Sequence, residues 1–151
     1  VTPFALVDIE PLVRWLDAID FEEWPQQRIG ELRPAMVTDP EWHGFGAMFG
    51  PTVNSLMRHF SEGTTAFQAM LSVVMPGHEI EAHRDEQAPY WVYRVHVPLT
   101  SNGRAWFVTG GLHHHMAPGI AYLVDTRVEH AVINAGKTPR THFMFDVRQP
   151  C

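Results

Sequence analysis

The alternation of apolar and polar residues changes character near residue 64, and the chain has two textures as a result. In the first, Ile9, Leu12, Val13, Leu16 and Ile19 recur at the spacing of one helix face, with Asp8 and Pro11 as start signals. The pattern predicts a helix over 9–20. From 21 to 51 no period persists, and frequent Pro, Gly and Trp predict an arm laid over a scaffold and anchored by Trp24, Trp42 and Phe45. A short helix is expected over 53–60, closed by Ser61-Glu62-Gly63. After 64 come short β-rich runs at 66–75, 90–99, 104–108, 120–124, 128–133 and 141–147. The turn pairs Pro76-Gly77, Asn102-Gly103, Gly110-Gly111, Pro118-Gly119 and Ala135-Gly136 separate them. Such runs, with no helical pattern between them, predict a mainly β sandwich or jelly roll, with Trp91, Trp106, Phe107, Phe143 and Phe145 as core.

Composition narrows this to one domain. A chain of 151 residues, 45% hydrophobic, can bury one sizeable core but not two. We expect an N-terminal helical and loop arm over 1–63 and a β core over 64–151. Seventeen acidic against eleven basic side chains, with no basic cluster, repel a phosphate backbone, which argues against nucleic acid. No apolar run is long enough for a bilayer, and the first residues lack a charged n-region and an h-region, so no membrane partner or export is expected. The single cysteine, Cys151, rules out an intramolecular disulfide, in keeping with a cytoplasmic setting. Nothing in the sequence bears on oligomeric state.

The candidate chemistry lies in His83-Arg84-Asp85 and in His130. Residues two apart on an extended strand share a face, so His83 and Asp85 can reach one ion. Alone, His-x-Asp is more often a hydrogen-bonded strand end than a metal site. His130, the one histidine in the run 128–133, supplies a third ligand from a distant strand. Two imidazoles and a carboxylate then leave the opposite face of the ion open, the facial triad of non-haem Fe(II) oxygenases. His113-His114-His115 is a weaker candidate, because adjacent strand residues alternate faces. Arg140 offers a planar fork for a carboxylate, against the alternative of a surface ion pair. Arg94 and His96 share a strand face and can enter one cavity, although a buried pair of Arg94 with Asp125 or Asp146 would also account for it. Ser72 shares a face with Gln68 and Met70. His78 reads as a surface residue after a Pro-Gly turn, and Asn134 and Gly136 read as turn chemistry.

Several motifs also fall in a fixed order: Met75-Pro76-Gly77, His83-x-Asp85, Arg94-x-His96-x-Pro98-Leu99, Asn102-Gly103, His115-Met116-x-Pro118-Gly119, Asp125, His130-x-Val132-x-Asn134-x-Gly136 and Arg140-x-His142. This succession resembles the aspartyl/asparaginyl β-hydroxylase family of Fe(II)/2-oxoglutarate-dependent dioxygenases, whose bacterial branch includes proline hydroxylases. The resemblance covers about the last 85 residues. It implies a double-stranded β-helix of the cupin-like kind, with one or two N-terminal helices packed on the outside and iron at the open end between two sheets. It implies His83, Asp85 and His130 as iron ligands, with Arg140 and Ser72 holding the far carboxylate of 2-oxoglutarate. Arg94 and His96 would face the cosubstrate or the substrate. The implied reaction hydroxylates an unactivated C–H of an amino acid, peptide or related small metabolite, consuming O2 and converting 2-oxoglutarate to succinate and CO2. Animal members of the family lack the carboxylate at the position of Asp85; this chain keeps it and looks closer to the bacterial branch. Two other classes compete: a cupin-like module that binds a metal or carboxylate without turnover, and a cupin enzyme that works without 2-oxoglutarate and has no need of Arg140.

Overall fold

The computed structural model describes residues 1–25, 35–85 and 92–150. Tyr90, Trp91 and Cys151, which figured in the expectations above, lie outside the described residues. The first helix, α1, spans Glu10–Asp17, within the expected 9–20 and shorter. Asp8 accepts the Glu10 N–H at 3.3 Å, and Leu12 and Leu16 are the buried stripe. Before it lies a strand the apolar pattern does not show, β1 (Thr2–Leu6), and within the arm lies another, β2 (Ala35–Val37).

Helix α2 spans Phe45–Met57, so it starts well before the expected 53 and ends before 60. Gly46, Gly50 and Pro51 look like breakers in the sequence, yet each is accommodated. A Cβ on Gly46 would stand 2.8 Å from that of Pro40, so glycine permits this close approach. Gly50 has no Cβ to clash with the Pro51 ring, which lets a helical residue precede a proline. The helix is held by tertiary burial: Phe45 and Phe49, one turn apart, are each 1% exposed.

The remaining strands are β3 (Thr65–Val74), β4 (Glu79–His83), β5 (Val92–Thr100), β6 (Ala105–Thr109), β7 (Leu112–His114), β8 (Ile120–Val124), β9 (His130–Asn134) and β10 (Arg140–Arg148). Of these, β4 meets the extended segment expected at His83-x-Asp85 only at His83, and the three-residue β7 was not anticipated, being short and poor in alternating apolar residues. One sheet has the order β1-β8-β5-β10-β3-β2 and the other β4-β9-β6-β7, with every pairing antiparallel. From β3 on, the chain alternates between the two sheets, apart from the β6–β7 hairpin. This is the expected mainly β, double-stranded β-helix.

Two apolar clusters follow from this layering. The larger joins the outer face of the six-stranded sheet to both helices, through Leu71, Val95, Phe143 and Phe145 against Leu12, Leu16, Phe45 and Phe49. The smaller lies between the sheets, with Val74, Phe107, Met116, Tyr122, Val124 and Val132. Two of its members, Phe107 and Val132, also line a cavity that polar groups share.

Candidate active site

In the four-stranded sheet His83 on β4 stands directly opposite His130 on β9, and opposed residues of an antiparallel pair project to the same face. Their ring centroids are 4.4 Å apart. Asp85 does not share the strand with His83, as two-residue periodicity would have it; β4 ends at His83. The loop is turned back by the Asp85 N–H, which donates to the Thr126 carbonyl at 3.1 Å. Asp85 Oδ1 thereby reaches 3.3 Å from His83 Nε2 and 3.7 Å from His130 Nε2. One ligand atom from each of the three lies within 4.8 Å of the others, and among the described residues no other such cluster occurs.

The tautomers suit a metal. His83 Nδ1 is 2.7 Å from the Glu81 carbonyl and His130 Nδ1 is 2.8 Å from the Val128 carbonyl. Carbonyls only accept, so each neutral ring carries its proton on Nδ1 and turns the Nε2 lone pair toward Asp85. Burial lowers the His130 pKa, opposed by the Val128 hydrogen bond and the Asp85 charge, which favours the neutral form that a ligand needs.

Arg94 braces this group from β5. Its Nε donates to Asp146 Oδ1 at 2.8 Å and its Nη2 to Oδ2 at 3.2 Å, while Nη1 stands 2.8 Å from Asp85 Oδ2. Burial opposes its charge, but the hydrogen bond and charge of Asp146, with that of Asp85, outweigh burial and raise its pKa. The pairing with Asp146 is therefore present, and Asp125 bonds Arg127 instead. Asp85 Oδ2 has no aligned hydrogen bond despite its proximity to Arg94.

Arg140 contrasts with Arg94. It is 3% exposed and pairs with no carboxylate among the described residues. Its Nη2 is 3.2 Å from His142 Nδ1, which in turn is 3.2 Å from His96 Nδ1. A guanidinium only donates, so His142 Nδ1 must be the acceptor and His96 Nδ1 the second donor. The His142 proton is then on Nε2, a buried atom without a partner among the described residues. Burial lowers the Arg140 pKa to about 9. It also holds both histidines well below their usual value, with the Arg140 charge the next cause for each. Ser72, 2% exposed, is the cross-strand neighbour of His142 on one side and of Met36 on the other.

All seven residues singled out from the sequence (His83, Asp85, His130, Arg140, Ser72, Arg94 and His96) line one cavity of about 870 Å³. His142, named only within a motif, and Asp146, named only as an alternative partner of Arg94, follow Arg140 at even spacing and so share its strand face. Asn134 is turn chemistry, as expected: its side chain donates to the Val74 carbonyl and accepts the Gly136 N–H. His78 is half-buried, and its carbonyl accepts the Asn134 N–H. His113 and His115 flank Trp106 edge-on and join no ligand cluster among the described residues.

The family description "Aspartyl/Asparaginyl beta-hydroxylase" matches residues 45–150, from the start of α2 to the end of β10 and just beyond. The chain belongs to this family. As a member, this hydroxylase is an enzyme of the 2-oxoglutarate-dependent oxygenase class, which sets aside the binding module and the cosubstrate-independent enzyme. No curated protein matches it by sequence. Its fold is similar to that of a Pseudomonas putida prolyl-4-hydroxylase, at 20% identity and a TM-score of 0.68 over 99% of this chain and 92% of that one. An oxidoreductase of the 2OG-Fe(II) oxygenase family from Burkholderia pseudomallei is similar at 14% identity and a TM-score of 0.64, covering 90% and 77% of the two chains. The viral collagen prolyl hydroxylase of Paramecium Bursaria Chlorella virus-1, in complex with 2OG, gives 12% and 0.57, covering 78% and 80%. Among the described residues no helix is long and apolar enough to cross a membrane.

Proposed function

We propose that this hydroxylase binds Fe(II) through His83, Asp85 and His130 and 2-oxoglutarate through Arg140 and Ser72, and hydroxylates an unactivated C–H of an amino acid, peptide or related small metabolite. One observation carries the reading: a buried guanidinium with no carboxylate partner among the described residues, in the same cavity as three converging metal ligands. A buried unpaired cation is costly, and a dicarboxylate that enters the cavity supplies the missing counter-charge. The donor set suits Fe(II), being two neutral imidazoles and one carboxylate on a single face. When bound, iron with 2-oxoglutarate and O2 supplies the oxidant, and the cosubstrate leaves as succinate and CO2.

The chain's own residues do the positioning. His83 and His130 present Nε2 lone pairs because their Nδ1 protons are committed to carbonyls. Arg94 draws Asp85 Oδ2 to one side and leaves Oδ1 facing the histidines, while Asp146 balances the charge of Arg94. His142, as an acceptor, orients one arm of the Arg140 fork, and the other nitrogens remain for a carboxylate. Phe107 stacks on the His130 ring at 5.5 Å and shields that ligand from water. The test is succinate production by the purified protein with Fe(II), ascorbate and 2-oxoglutarate under O2. Succinate above a metal-free control is expected; its absence with a broad substrate panel would sink the reading.

A further inference from the structure

With iron and 2-oxoglutarate placed as proposed, most of the cavity is still open. Every charged group among its described lining residues is then committed: the triad to metal, Arg94 to Asp146 and Asp85, and Arg140 to the cosubstrate. The rest of the described wall runs from the β2–β3 edge to α2 and is dominated by Met36, Phe49, Val53, Met70 and Met144. Met70 and Met144 are cross-strand partners and are nearly buried, at 5% and 7% exposed. Methionine fills irregular space and adapts to varied apolar shapes. A free amino acid would bring an ammonium and a carboxylate against this wall, where the described residues offer no uncommitted counter-charge to offset their desolvation.

One polar side chain at the rim has an unusual backbone. Gln68 is exposed, lines the same cavity and has φ 52°, in the left-handed region disfavoured for residues with a Cβ. It sits in the irregular stretch of β3 where the register with β10 shifts between Met144 and Asp146. Bulges re-aim side chains, and strained backbone collects at functional sites. A glutamine amide offers one acceptor and a donor group side by side, the complement of a peptide amide.

We propose that the substrate end of this cavity takes an uncharged apolar residue held within a peptide, and that Gln68 is a specificity-determining residue that hydrogen-bonds a flanking amide. This rests on the 2-oxoglutarate oxygenase reading above. Of the substrate classes in that reading, this selects a residue of a peptide over a free amino acid.

The test uses the full chain with Fe(II) and 2-oxoglutarate under nitrogen, titrated with N-acetyl methylamides of leucine, proline, aspartate and lysine, each beside the free amino acid. The readouts are the dissociation constant and the change in the visible Fe(II)–2-oxoglutarate band. The capped leucine or proline probe should bind roughly tenfold more tightly than any free or charged one. Gln68→Gly should weaken that probe about three- to tenfold, the worth of one hydrogen bond, with 2-oxoglutarate affinity unchanged. The same substitution should raise the melting temperature, since glycine adopts positive φ without strain. A purely structural Gln68 would show the stability gain with no loss of probe. A charged or free probe that binds as tightly as the capped apolar ones, or no binding of any capped probe, overturns the substrate class. Unaltered probe binding in Gln68→Gly overturns the role of Gln68. If the wild type fails to bind 2-oxoglutarate at all, the parent reading has failed instead, and the two failures are distinguishable.

Discussion

One face of β10 carries Phe143, Phe145 and Val147 into the core beneath α1 and α2; the other carries Arg140 and Met144 into the cavity wall, with His142 and Asp146 bonded to the cavity residues Arg140 and Arg94. Both faces are buried, Phe143 and His142 alike at 0% exposed. A strand with one polar face ordinarily turns that face to water. Here the polar face is desolvated and only partly satisfied within the protein: Arg140 has no carboxylate and His142 Nε2 no partner among the described residues. The aromatic face gains its stability from the fold, and the polar face keeps groups that a ligand would satisfy. Substitutions on the two faces should therefore be read out by different measurements.

The largest effect should come from the metal end of the polar face. His130→Ala is expected to abolish Fe(II) binding and essentially all succinate formation, while the ligand-free protein melts close to wild type. Equilibrium metal binding and a melting curve check both halves; retained iron affinity would move the ligand assignment elsewhere. On the opposite face, Phe143→Ala should cost about 3–5 kcal/mol of stability through lost packing against Phe45 and Phe49. Denaturant unfolding measures that loss, and the protein that remains folded should bind 2-oxoglutarate normally. A Phe143→Ala variant that is stable but blind to cosubstrate would break the division between the faces.

Arg140→Lys keeps a charge and loses the fork. On the proposed assignment, it should weaken 2-oxoglutarate by about 2–4 kcal/mol without weakening iron, as read by anaerobic titration. Arg140→Ala sharpens the comparison, because deleting a cation that burial disfavours should leave the ligand-free melting temperature unchanged or higher. The smallest effect concerns pH. His96 and His142 are held neutral when folded, with pKa values below the ordinary 6.5, so the unfolded chain binds more protons in that window. Stability should fall as pH drops below 6.5 toward the folded values, by at most about 1.4 kcal/mol per unit for each histidine. His142→Phe should flatten that slope in unfolding midpoints taken between neutral and mildly acid pH; an unchanged slope would place the titration elsewhere.

The seven cavity residues were legible because motif order and, for all but Asp85, strand placement act on single side chains, and one cavity collects them all. The missed elements have a different physics. β7 and β2 are three residues each, too short for any alternation to register, and exist because a neighbouring strand offers hydrogen bonds. α2 was hidden by Gly46, Gly50 and Pro51, whose intrinsic cost is met only by contacts that sequence spacing does not reveal, such as Phe49 against Phe143. Arg94 was visible as a candidate, but its bridge to Asp85 was not, since β5 and the loop after β4 meet only in the folded barrel.

The triad is built on the four-stranded sheet and the loop that follows β4, whereas Arg140 belongs to the six-stranded sheet. On the proposed assignment, a single molecule of 2-oxoglutarate spans from one sheet to the other, so the gap between them, set near 10 Å by side-chain packing in sandwiches generally, acts as a gauge of chain length. Oxaloacetate, one carbon shorter, would fall short of the fork or leave the metal; 2-oxoadipate, one carbon longer, would have to buckle. On that assignment the aromatic residues on the far side of β10 would not touch the cosubstrate, yet by fixing where that strand lies they would determine how long an acid the cavity accepts.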